Sequence, residues 1–335
     1  MAAPSVSGTR SVHILDQGLP LKLRIRLEPY LYLLPALAVV MVFRTLPILC
    51  SFTASFTDYD IGGFHGFVGF DNYVRMLSDA RFWQSVTNTV YFVLGVVPVG
   101  IVIPLLLAML LRGKFAGKGF YRTIYFLPVV TSAVAISVVW TWLYNPEAGP
   151  INRLITAMGG EPLMWLREPR GIFELLLSPL GLHPTGILAG PSLALVSLMI
   201  VSIWKSTGYN TVLFLAGLEN IPSTYYEAAR LDGAGAWGTF RHITWPLLSP
   251  TTYYVLIMST IMSFQTFALV YVMTPPPGGG PLGSTNVIVF HLFQKAFDRF
   301  DLGYASAISV FLFLVLLGLT IVQRRVAGSK VHYGS

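Results

Sequence analysis

Six stretches of this chain, roughly residues 29–52, 86–111, 122–143, 191–217, 251–273 and 303–323, are apolar over the length a helix needs to cross a bilayer. About 20 such residues span the hydrocarbon core. A segment in lipid must satisfy its own backbone N–H and C=O groups, so a run of this length is expected to be helical. Composition agrees: 54% of residues are hydrophobic and 11% are charged, where soluble domains average about 25% charged. The expected fold is an all-α membrane protein with six transmembrane helices. Pro98 and Pro104 fall inside the second run and Pro128 inside the third. Such prolines are tolerated where neighbouring helices satisfy the freed carbonyls, which points to a packed bundle. The first run is too long, and too weakly followed by a cleavage site, for a signal peptide.

Lys and Arg set the orientation, because cytoplasmic loops keep an excess of them. With the N-terminus inside, thirteen cations fall in cytoplasmic segments and seven in outer ones, while ten of the fifteen acidic residues fall outside. The expectation is N-in and C-in, with the polar loop 219–250 in the cytoplasm. The net charge of +7 is then a topology signal. Its cations are divided among short loops and form no clustered basic face for a nucleic acid.

Several chemistries are excluded. No Asp or Glu lies within any of the six runs, whereas proton-coupled carriers use intramembrane carboxylates or histidines. There is no G-x-x-x-x-G-K-[ST] motif; Gly117-Lys118-Gly119 lacks the upstream spacing and the following hydroxyl. If ATP drives this system, another chain binds it. Cys50 is the sole cysteine, so a disulfide within the chain or a cysteine-cluster metal site is impossible. It is expected to be a small buried hydrophobe. The six histidines show no zinc spacing, and no cofactor is expected in this chain.

Between the fourth and fifth runs, residues 225–250 read YYEAARLDGAGAWGTFRHITWPLLSP. Glu227, Ala228 and Ala229 open a helical turn. Asp232-Gly233-Ala234 breaks it, with glycine supplying backbone freedom. Trp237, Phe240 and Ile243 follow at helical spacing, and Pro246 stands where a fresh helix can begin. A short amphipathic element of this kind suits docking in a groove on another protein.

The order E-A-A, D-G-A, Phe, Ile and P-L-L resembles the cytoplasmic loop of binding-protein-dependent ABC importer permeases. Glu227, Ala228, Ala229, Asp232, Gly233, Ala234, Ile243, Pro246 and Leu247 fill that pattern. The resemblance implies the type I (MetI-like) permease fold and a non-catalytic subunit in the prokaryotic cytoplasmic membrane. It implies that loop 219–250 is a coupling helix seated in two ATP-binding subunits, which hold the ATP and Mg. It further implies a second homologous permease, an extracytoplasmic solute-binding protein on the outer face, and contact with membrane lipid. The stretch WKSTGYNTVLFLAGLENIPSTYYEAA, from Trp204 to Ala229, and GFVGFDNYVRML resemble the carbohydrate branch. A sugar or oligosaccharide is the implied solute. A permease for another solute, such as glycerol phosphate or a peptide, and a non-transporting membrane scaffold stay open. Phosphate handling would favour arginine clusters at the cavity, and none is evident.

The chain divides into a tail, 1–28; the first span with its outer segment, 29–85; a permease domain, 86–325; and a tail, 326–335. In the first tail, Leu21, Leu23, Ile25 and Leu27 alternate with Lys22, Arg24 and Arg26. That alternation fits a strand better than a helix, and no element is assigned. Asp71 is expected to cap a short helix beginning near Asn72. NPEAGPINRLITAMG resembles the family's helix that faces the binding protein. The apolar piece 171–189 is too short and broken for a seventh span. Gly279-Gly280-Pro281 is expected to form a turn, which Pro275–Pro277 stiffen.

A neutral polyol needs hydroxyl and amide partners along a wet path. Ser259, Ser263 and Thr266 recur at i, i+4 and i+7, one helix face, and Gln265 adds an amide. Opposite them, Tyr209 and Asn210 interrupt the fourth run, where Gly208 gives local freedom. The resemblance implies that these two helices line the cavity. The competing reading is close helix packing, which Ser and Thr also favour. Lys205, a cation inside the fourth run, either faces a cavity or snorkels to the interface.

Overall fold

The computed structural model describes residues 21–113, 117–274, 278–326 and 328. Expectations placed on residues 1–20, on Pro275–Pro277 and on most of the C-terminal tail lie outside them. The described residues are mostly helical; a two-stranded hairpin, Thr57–Asp60 antiparallel to Gly63–Phe67, and an isolated bridge between Gly171 and Ser192 are the β structure among them. Gly63, at φ 109°, closes this hairpin in a conformation L side chains rarely adopt.

Among the described residues, three helices are long and apolar enough to cross a membrane, namely Tyr30–Ala54, Ala80–Leu111 and Leu302–Val326, and the number rises to five if each of two bent pairs is one span. The third expected run is one of these pairs, Gly119–Val130 and Ala133–Leu143, bent by 102°. Pro128 and the β-branched Val129, Val130 and Thr131 favour leaving the helix there, and Thr131 is extended. The fourth run forms a 27-residue helix, Leu193–Glu219, with a polar middle, and falls outside that set. The fifth run is not continuous. Its helix Ser249–Phe264 stops, and Ala268–Met273 resumes after Phe267 at φ −139°, ψ −58°.

The N-terminal alternation does not make a strand; a helix runs from Leu21 to Val40 and continues through a π turn, Met41–Thr45, into Leu46–Ala54. A lone strand would leave its backbone groups unpaired, whereas a helix satisfies them internally. Among the described residues, Leu46–Ala54 meets chiefly Leu302–Val326 and the hairpin edge and has no buried residue of its own, and Cys50 is therefore exposed, not buried.

The core lies where Ala80–Leu111 packs along Leu193–Glu219 and Ser249–Phe264. Phe92, Leu195, Leu198, Phe214 and Leu218 are wholly buried there. Gly208 acts by close approach and not by local freedom, since a Cβ on it would overlap the Tyr125 carbonyl. Segment 171–189 forms a six-residue helix, Ile172–Leu177, and two 3-10 turns, and is tied back by Ile172 N–H donating to Pro191 O at 2.8 Å.

One end of the bundle carries the hairpin, and one carboxylate organises it. Asp71 does not cap; it is the first helical residue of Asp71–Ser78, entered through Phe70. Asp79 caps instead, its Oδ1 accepting from Arg81 N–H at 2.9 Å and Phe82 N–H at 3.4 Å. Its Oδ2 accepts from the Tyr304 hydroxyl at 2.9 Å and Lys295 Nζ at 3.2 Å. The starts of Ala80–Leu111 and Leu302–Val326 and the segment around Lys295 thus share one anion. Burial pulls the Asp79 carboxyl up, but Tyr304 and Lys295 together hold it down at about 2, below its ordinary 3.8. A depressed folded value contributes stability that is present above the unfolded value and lost as pH falls through about 2. Asp79→Asn keeps a cap but loses the charge, and is expected to destabilise the protein by about 1–2 kcal/mol at neutral pH. Thermal unfolding in detergent should show that deficit unchanged between neutral pH and pH about 5, and shrinking only below the ordinary carboxylate value.

Candidate functional site

At the opposite end of the bundle, Ser223–Leu231 is a helix whose last turn closes on glycine. Gly233 N–H donates to Arg230 O at 3.1 Å and Ala234 N–H to Ala229 O at 2.9 Å, with Gly233 at φ +70°. This is the Schellman arrangement, in which a left-handed residue just past the helix end satisfies the last carbonyls. Ala229 is buried, while Glu227, Ala228, Asp232, Gly233 and Ala234 are exposed. Beside them, Leu231 is 89% and Trp237 70% exposed. Trp237 stacks on the half-buried Phe240, ring centroids 5.6 Å apart. Clustered exposed apolar side chains of this kind mark a contact surface.

Pro246 does not open a fresh helix. Helical residues run unbroken from Ala236 to Leu247, through a π turn at Phe240–Thr244. Trp245 N–H reaches back to Phe240 O, and the wider turn accommodates a proline that has no N–H of its own. The bend, 66°, falls after Leu247, and Pro250 stands in the first turn of Ser249–Phe264. Ile243 and Pro246 are half-buried against the bundle. The pattern read from the sequence thus holds two groups: residues 227–234 present a surface, and residues 243–247 anchor it.

The residues expected along the solute path do not form one face. Thr266 lies beyond the end of Ser249–Phe264 and so is off the helix face that carries Ser259 and Ser263. Ser263 is buried, at 4% exposure. Asn210, at 5%, is a clamp between three helices, its Nδ2 donating to Gly100 O at 2.9 Å and to Ser259 Oγ at 3.4 Å. An amide in a packed interface is held by such bonds, and its periodicity could not reveal the partner. Tyr209 and Gln265 are exposed, and Ser259, Thr266 and Lys205 are half-buried. Lys205 makes no ion pair among the described residues.

A cleft of about 480 Å³ opens between Ala80–Leu111, Ser249–Phe264 and Leu302–Val326, and is lined by apolar side chains together with Thr89, Thr260 and Gln323. Gln323 Nε2 donates to Thr260 Oγ1 at 2.9 Å. A second cavity of about 330 Å³ at the hairpin end takes in Thr141, Asn145, Arg167 and Thr274. Neither is lined by a residue of the expected path. The exposed path residues therefore lie on an open face of this chain. The backbone leaves the helix at Gln265–Phe267, where Gln265 is exposed and Thr266 and Phe267 are half-buried.

Comparison with known proteins supplies the wider setting. The family model described as "Binding-protein-dependent transport system inner membrane component" matches residues 80–328. The chain is 34% identical over 315 residues to the trehalose/maltose transport system permease protein MalF of Thermococcus litoralis, covering 93% of this chain and 98% of that one. Its fold matches a crystal structure of a bacterial ABC transporter involved in the import of the acidic polysaccharide alginate, with a TM-score of 0.76 at 20% identity, over 92% of this chain and 99% of that one. A bacterial alginate ABC transporter in complex with an alginate pentasaccharide-bound periplasmic protein matches with a TM-score of 0.73 at 20% identity, over 91% and 95%.

Proposed function

Because this chain belongs to the family of binding-protein-dependent transport system inner membrane components, we propose that it forms half of the translocation path of an ATP-driven importer for a sugar or oligosaccharide. It is a multi-pass protein of the inner membrane, and it performs no ATP chemistry of its own. ATP and Mg are held by two partner subunits that dock on loop 219–250. A second homologous permease completes the path, and a solute-binding protein delivers cargo to the hairpin end. The observation that carries this reading is the exposed surface of Glu227, Ala228 and residues 230–237, closed by the Gly233 turn and joined to the bundle by Ile243 and Pro246. The open face with Tyr209 and Gln265 supports a path shared with a second subunit, and its neutral amide and hydroxyl groups suit a polyol better than an anion.

The topology is six spans, N-in and C-in: the three long helices, the bent pair Gly119–Val130 and Ala133–Leu143, Leu193–Glu219, and Ser249–Phe264 with Ala268–Met273. In a Cys50→Ser background, cysteines at Ser78 and at Leu282, which is 84% exposed, should react with an impermeant maleimide from outside. One at Lys118 should react only after permeabilisation. Labelling of position 118 in intact cells would overturn the orientation. The solute is tested by ATP-dependent uptake in liposomes that hold the full complex. Uptake of oligosaccharides is expected; glycerol phosphate entering while every sugar is refused would favour the other reading.

A further inference from the structure

Two residues outside the motif, and Tyr226 beside it, connect loop 219–250 to the membrane helices. Tyr226 lies on Ser223–Leu231, and the Arg112 guanidinium carbon stands 4.1 Å from its ring centroid. Arg112 is the C-cap of Ala80–Leu111, a position where a cation also meets the negative end of the helix dipole. The Tyr226 hydroxyl is 3.2 Å from Thr244 Oγ1. Thr244 is 5% exposed and ends the π turn that leads through Trp245–Leu247 into Ser249–Phe264. The flank of the ring packs against a buried cluster that includes Leu111, Leu218, Leu248 and Val255. One side chain thus touches the end of one long helix and the approach to another. The neighbouring surface residues 231–237 face away from the bundle and are exposed.

We propose that Tyr226 is a positioning residue of the transport cycle. A displacement of Ser223–Leu231 passes through its ring to Arg112, and so to Ala80–Leu111, and through its hydroxyl to Thr244, and so to Ser249–Phe264. This rests on the reading of loop 219–250 as the docking element. An aromatic ring has few rotamers and meets the guanidinium over a broad face. A leucine in its place keeps the apolar packing but neither contact. The assignment also explains why the Glu227 and Ala228 surface can be exposed to a partner while its motion still reaches the bundle.

The test uses the complete complex in liposomes, with ATP hydrolysis and solute uptake measured on the same sample. Tyr226→Leu and Arg112→Gln should assemble and hydrolyse ATP with unchanged affinity for it, while solute moved per ATP falls by about fivefold or more. Tyr226→Phe keeps the ring over Arg112 and should lose less. Arg112→Lys keeps a cation and should recover part of the coupling. The double variant Arg112→Gln/Tyr226→Leu should be no worse than Tyr226→Leu alone, because both act through one contact. Parental solute per ATP in Tyr226→Leu would overturn the proposal. So would additive losses in the double variant, or uptake that falls only in proportion to the amount of assembled complex. Gly233→Pro is run alongside. If it uncouples while Tyr226→Leu does not, only this inference fails; if Gly233→Pro stays coupled, the docking reading fails.

Discussion

Gly233→Pro is expected to abolish coupled transport while the chain still inserts and folds. Two properties of proline conflict with the site. Gly233 sits at φ +70°, whereas the pyrrolidine ring holds φ near −65°. Its N–H donates to Arg230 O, and proline has no N–H. Together these cost about 3 kcal/mol or more for keeping the native turn. The turn is exposed and a Cβ there meets nothing within 4 Å, so the chain escapes by letting the turn open. That moves Glu227, Ala228 and Leu231 relative to Trp237, and the surface proposed to meet the ATP-binding partner is lost. Uptake should fall by about a hundredfold, the equivalent of that cost, while basal ATP hydrolysis persists in any complex that forms. Gly233→Ala isolates the dihedral alone, about 1–2 kcal/mol, and should fall between. Full uptake in a well-assembled Gly233→Pro complex would remove the docking surface from the mechanism.

How far the sequence reaches is clearest at this loop. E-A-A followed by D-G-A contains its own turn chemistry, because a glycine just past a helix end specifies one arrangement. Pro246 shows the limit. A proline after a polar stretch reads as the start of a helix, yet here the chain widens into a π turn ahead of it. Thr244 and Leu248 on either side of this proline are buried in the bundle, contacts that no local pattern reports. Apolar length located the long helices well, but it counts residues and not direction. The 102° turn after Val130 leaves hydropathy untouched.

Long-range pairs were out of reach for the same reason. Asp79 meets Tyr304 and Lys295 across more than two hundred residues, so its role at the hairpin end had no local signal beyond a capping position before a helix. Asn210 was legible as an unusual polar residue within an apolar run, but not as the clamp onto Gly100. Periodicity also assigned Thr266 to a face that ends at Phe264, since the Gln265–Phe267 break carries neither glycine nor proline.

That break decides where a solute is expected to touch this chain. Gln265 is exposed at the helix end, whereas Ser263 beside it is buried. Its amide offers two donors and an acceptor, and the backbone beyond it has left the helix. On the proposed path, replacing Gln265 by Leu removes the one or two hydrogen bonds its amide would make to a sugar hydroxyl, each worth about 1 kcal/mol. The KM for uptake should rise roughly fivefold to thirtyfold, with the maximal rate of ATP hydrolysis little changed. Gln265→Asn keeps the amide one methylene back and should recover part of the loss. Ser263→Leu is different in kind. A larger side chain at a site 4% exposed overpacks the helix interface at a cost of about 1–3 kcal/mol. It should reduce the yield of folded complex while leaving KM near the parental value in what assembles. Asn210→Leu should behave like Ser263→Leu, because it breaks the bond to Gly100 and touches no open face. If Gln265→Leu transports with an unchanged KM while Ser263→Leu or Asn210→Leu raises it, the solute runs along the buried side of the helix, and the open face serves only to meet the second permease.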